Sequence, residues 1–145
     1  MNTLTEHNKA IALRFAQAGW GTNPGWEKIW DQVMAADVVY HFNSSPEPIV
    51  GLEANKAFNA SLFEGFPDIK QTIEDVVSEA DKVVYRSTME GNHTGDFLGI
   101  PPTGKAAKVN DFTLLRIVND QIVEWWYECN LLEVMKQLGL MPDAP

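Results

Sequence analysis

The chain has 145 residues, 45% of them hydrophobic and 21% charged, with 1 Cys; this is the size of a single domain, residues 1-145, whose core needs no disulfide. Lys+Arg 11 against Asp+Glu 20 leaves a net charge of -9, which argues against nucleic acid or an anionic membrane as partner, since both need a basic face. The first ten residues, MNTLTEHNKA, carry neither a basic nor an apolar targeting run, and no stretch nears the ~20 apolar residues that span a bilayer, so the expected compartment is the cytoplasm.

In chain order, Thr3 with Glu6 reads as a capping box opening a helix. Ile11, Phe15 and Ala18 follow at helical spacing. Gly19 and Gly21, on either side of Trp20, stop it. Asn23-Pro24 is expected to start a second helix with the proline in its first turn, and Trp26, Ile29, Trp30 and Val33 mark its apolar face. A short strand over Val38–Phe42 precedes a polar loop. Gly51 then introduces a third helix carrying Ala54, Phe58 and Leu62 at i, i+4 and i+8. From Ile69 the texture becomes strand: runs are expected over 69–78, 82–93, 108–118 and 121–128, with Asn119-Asp120 as a tight hairpin turn. A last helix over 131–138 stops at Gly139. Helices followed by an antiparallel meander make an α+β fold. Helices on the concave face of a curved sheet would enclose a pocket.

Several stretches then stand out. Glu79-Ala80-Asp81-Lys82-Val83 is followed by Gly91-Asn92-His93-Thr94-Gly95-Asp96-Phe97-Leu98-Gly99-Ile100-Pro101-Pro102-Thr103-Gly104. Arg116-Ile117 precedes a hairpin, and Ile122-Val123-Glu124-Trp125-Trp126 and Gln137-Leu138-Gly139 come after it. In this order and spacing, from about Ala10 to Gly139, the chain resembles the SnoaL-like polyketide cyclases, also called ester cyclases. The resemblance implies the cone-shaped α+β barrel of the nuclear transport factor 2-like superfamily, with N-terminal helices on the concave face of a mostly antiparallel sheet. It also implies closure of an aromatic ring by intramolecular aldol condensation with no metal or organic cofactor.

That chemistry needs a proton taken from an activated carbon and one given to a carbonyl oxygen, so one positioned acid/base plus donors is enough. A carboxylate in an apolar pocket suits it, because desolvation raises its pKa. The resemblance puts the catalytic Asp immediately after Trp126, where this chain has Tyr127. Its assisting His maps to Thr113, and a further Asp of many relatives maps to Asn130. Asp111 lies two residues before Thr113 and so on the same strand face. Asp111 is therefore the expected acid/base, Tyr127 a phenolic donor and His41 a further pocket base or donor. Thr113, Trp125, His93, Asn130, Trp30 and Phe58 are expected against the substrate. Cys129 reads as a small buried hydrophobe and His7 as a surface residue. The His and acidic residues show no metal-ligand spacing.

Three readings stay open. One is a cyclase- or isomerase-type enzyme, a lyase or isomerase, acting on a flat apolar substrate. Another is a non-catalytic binder of a hydrophobic metabolite. The third is a hydrolase- or hydroxylase-like relative with relocated groups. Phe112, Leu114, Trp126 and Arg86 alternate with the pocket set, so the convex face is expected to pair two copies into a homodimer.

Overall fold

Alternating apolar and polar side chains build a six-stranded sheet in the computed structural model, which describes residues 3–141. Its strands are β1 (Met34–Phe42), β2 (Ile49–Val50), β3 (Lys70–Glu79), β4 (Lys82–Asn92), β5 (Ala106–Val118) and β6 (Gln121–Cys129). They are ordered β2-β1-β6-β5-β4-β3. All neighbours are antiparallel except β1 and β6, which run parallel. The result is a mixed α+β fold whose curled sheet is open, with edges at β2 and β3. The helices are α1 (Thr3–Ala18), α2 (Trp26–Val33), α3 (Leu52–Gly65) and α4 (Leu131–Gln137). No helix among the described residues is long and apolar enough to cross a membrane.

Strand parity fixes the two faces. On β5, Asp111, Thr113, Leu115 and Ile117 are buried, while Phe112, Leu114, Arg116 and Val118 alternate with them. On β6, Trp125 and Tyr127 point with the buried set. The core lies between this face and α1–α3. There Phe15 and Trp30 meet Trp125 at ring-centroid distances of 5.3 and 5.9 Å, and Tyr40 stacks on Trp125 at 3.6 Å. Burying such rings and joining them edge-to-face supplies much of the packing between sheet and helices.

Two local expectations are corrected. The second helix begins at Trp26, not at Pro24. Asn23 turns its side chain onto the backbone N–H of Gly25 at 3.2 Å, and this turn leaves Pro24 outside the helix. β1 begins at Met34, directly after α2, because pairing with β6 (Met34 opposite Ile122, then a bulge before Val39) recruits residues of low strand propensity. The two-residue β2 is held by β1, with Tyr40 opposite Ile49. The hairpin at Asn119-Asp120 is as expected: both residues have positive φ, 50 and 66°, as a primed turn requires.

Candidate functional site

An apolar cavity opens between α3, α4 and the ends of β1, β4, β5 and β6. Its free volume is about 70 Å3, within a wider cleft of about 710 Å3 that includes space open to solvent. Phe58 and Leu62 of α3 form one wall, Phe42 and Tyr127 of the sheet another, and Trp20 of the α1–α2 turn contributes from the helical side. Phe42 and Tyr127 lie parallel, with centroids 5.7 Å apart. Walls of this composition suit a flat apolar ligand.

Behind the Tyr127 wall lies a polar cluster. The Tyr127 hydroxyl donates to Asp111 Oδ2 at 2.6 Å, and the Ser87 hydroxyl donates to Oδ1. β4 and β5 pair Ser87 opposite Asp111, which is why the two side chains share the inner face. Asp111 is 0% exposed. Burial pushes its carboxyl above the ordinary value of 3.8, and the bonds from Ser87 and Tyr127 oppose that shift. The Tyr127 phenol is held well above 10, first by burial and then by the adjacent Asp111 charge. Tyr40, another cavity-lining phenol, is raised in the same way, by burial and then Tyr85. Cys129 also lines the cavity and accepts from Asn43 Nδ2 at 3.4 Å. Its thiol is pushed up by burial. The residue as a whole is half-buried, at the cavity wall.

The expected site residues separate. Asp111 and Tyr127 come together, and Tyr127 and Phe58 border the cavity. Thr113 is buried behind the wall, hydrogen-bonded to Tyr85. His41 is corrected: it faces away from the cavity. Strand alternation stacks it on Trp126 at 5.0 Å, and its Nε2 meets Glu124 Oε2 at 2.8 Å. Trp30 and Trp125 are corrected too, since both are spent in the core. Trp30 Nε1 donates to the Gly19 carbonyl at 2.7 Å and Trp125 Nε1 to Asn55 Oδ1 at 3.2 Å. Asn130 caps α4, its Oδ1 accepting from the Glu133 backbone N–H at 3.1 Å. His93 is buried against Phe66 outside the cavity wall and ties the long loop together, with its Nδ1 accepting from the Thr103 backbone N–H at 3.2 Å. His7 is exposed and pairs with Asp120 at 2.7 Å, as a surface residue should.

Sequence reasoning missed Tyr40, Ser87 and Asn55. The parity of Tyr40 with Phe42 was a usable signal. The Ser87 contact depends on cross-strand register, and the Asn55 contact on helix docking, neither of which a linear pattern carries.

The SnoaL-like polyketide cyclase family model matches residues 10–138. The chain belongs to the SnoaL-like polyketide cyclase family. It is similar to the solved structure of a protein from Jannaschia sp. CCS1 assigned as a SnoaL-like polyketide cyclase: 35% identity, TM-score 0.93, covering 98% of each chain. It is also similar to AclR from Streptomyces galilaeus, assigned as a hydroxylase: 25% identity, TM-score 0.80, covering 97% of this chain and 86% of that one. A protein of ketosteroid isomerase-like fold from Catenulispora acidiphila DSM 44928 shares the fold at 22% identity and TM-score 0.72, over 93% and 96% of the two chains. No curated protein matches the sequence.

Proposed function

We propose that this protein is a small-molecule enzyme of the cyclase or isomerase type. It would use no cofactor and act on a flat, apolar, carbonyl-bearing substrate of polyketide kind. The observation that carries this reading is the Tyr127–Asp111 hydrogen bond, which links a side chain that lines the cavity to a buried carboxyl of raised pKa.

Tyr127 is the group that meets substrate, and Asp111 stores the proton. The Asp111 carboxylate takes the Tyr127 hydroxyl proton as the phenolic oxygen takes one from a carbon between two carbonyl groups. The resulting enolate carbon bonds to a carbonyl carbon of the same molecule. Tyr127 then gives its proton to the new alkoxide and recovers one from Asp111, so no proton is gained or lost. A raised carboxyl pKa makes Asp111 a stronger proton acceptor, and the apolar walls hold the two reacting carbons together.

The base step has a direct assay. In D2O, a β-keto ester on a naphthalene-sized ring should lose its activated C–H signal faster with the protein than without it, as read by proton NMR. Tyr127→Phe and Asp111→Asn should each remove most of that acceleration. Exchange that survives both changes sinks the relay.

A second reading is favoured by one observation: Asp111 itself has no exposed surface. In that reading the cavity binds a hydrophobic metabolite, and Tyr127 only hydrogen-bonds it. Tight binding of flat carbonyl compounds with no exchange and no turnover would select it. A second copy of the chain on the outer sheet face is the proposed protein partner, in either reading.

A further inference from the structure

Among the described residues Trp20, Trp26, Trp30 and Trp125 are at least nine-tenths buried. Trp30 and Trp125 donate to Gly19 and Asn55, so their demand is met inside the protein. Trp20 differs: its Nε1 is buried and meets no acceptor among the described residues, while its ring lines the cavity. Buried donors are almost always paired, and an unpaired one loses its hydration without return.

The surrounding residues hold Trp20 in place. A Cβ on Gly21 would fall inside the Phe63 ring, and one on Gly19 would lie 2.6 Å from the Phe15 carbonyl oxygen. The Gly19 carbonyl is already engaged by Trp30. The turn thus has no room for a side chain at either glycine. Phe63 stands edge-to-face with Trp20 at 5.1 Å and 71°. A ring face is only a weak acceptor, so Phe63 does not replace a true partner.

We infer that the Trp20 indole N–H is a ligand anchor, taking a carbonyl-type oxygen of the molecule that fills the cavity. This rests on the reading of the cavity as a ligand site. It adds a requirement: the ligand carries an oxygen acceptor on the helical side, besides the one that meets Tyr127 on the sheet side. Trp20 touches no reacting atom and is a positioning and specificity residue.

The pair 1-indanone and indane tests it, because the two have the same ring frame and differ by one carbonyl oxygen. The readout is the Trp20 indole N–H signal in 15N-labelled wild-type protein, assigned through its own backbone. Indanone should move this signal downfield and indane should not. Indanone should also bind about fivefold tighter than indane, and in Trp20→Phe the advantage should shrink to about twofold or less. If indanone shifts other cavity signals but leaves the Trp20 N–H where it was, the anchor is wrong and the ligand-site reading stands. If neither probe binds up to its solubility limit, the ligand-site reading fails and the anchor with it.

Discussion

Asp111 is the residue on which most chemistry converges. Its pKa is raised by burial, so between its unfolded and folded pKa the folded state binds more protons than the unfolded chain. A carboxyl raised on folding lowers stability as pH rises from its unfolded value, near 3.8, to its folded one. Asp68 and Glu124 act the other way. Bonds from Asn92 hold Asp68 below its usual range, and bonds from His41 and Arg116 do so for Glu124. Urea titrations of wild type and Asp111→Asn across pH 4 to 7 should therefore diverge, the variant gaining relative to wild type as pH rises. Parallel curves would mean that Asp111 is not shifted. The same residue decides catalysis. Tyr127→Phe should lower turnover by ~10²- to 10⁴-fold, the usual worth of a positioned acid/base. Affinity for flat ligands should change far less, because the ring that packs against Phe42 remains. A Tyr127→Phe enzyme with unchanged kcat would remove Tyr127 from the reaction.

At the scale of elements, one side chain ties α3 to the sheet. Asn55 is 0% exposed. Its Nδ2 reaches the carbonyls of Gly51 at 2.7 Å, Ile49 at 3.2 Å and Val38 at 3.4 Å, and its Oδ1 accepts from Trp125. This hub closes the start of α3 onto β1 and β2 and sets the helix that supplies Phe58 and Leu62 to the cavity. Asn55→Ala strands the Trp125 N–H, while the Val38 and Gly51 carbonyls keep the backbone N–H groups of Gly51 and Asn55. A buried group left unpaired costs about 1–3 kcal/mol, so a loss in that range is expected in chemical denaturation. A loss below about 0.5 kcal/mol, the size of an ordinary surface change, would show that α3 is held by apolar packing alone.

At the scale of the molecule, the outer face of the sheet carries a row of apolar side chains. Val77 is 60% exposed and Phe112 54%, and Val84, Leu114 and Trp126 adjoin them in half-buried positions of the same parity. Arg86, paired with Asp75 at 2.7 Å, stands among them. A face of this kind in a chain with net charge -9 fits self-association better than contact with an anionic partner. Light scattering at micromolar concentration should give twice the chain mass, and Phe112→Glu should reduce it to one. A monomeric wild type would refute the pairing.

Much of this architecture was legible in the linear sequence. The strand runs from Ile69 onward, the Asn119-Asp120 turn and the opposite facing of Trp125 and Trp126 follow from period and turn chemistry, which are local properties. The family motifs between Gly91 and Gly104 add the fold. Asp111 is reached by its parity with Thr113 and Tyr127 through the family resemblance, whereas the bond between them depends on the β5–β6 register, which shifts between Arg116 and Ile117. What only the tertiary structure decided depends on non-local contact. The parallel pairing of β1 with β6 extends β1 back to Met34. Alternation in β1 puts Tyr40 on the cavity side and His41 on Trp126, a parity that becomes a direction only once the sheet has an inside. Helix packing consumes Trp30 and Trp125 in the core and leaves Trp20, marked by the sequence only as a residue between two glycines, lining the cavity with its N–H buried and unpaired among the described residues.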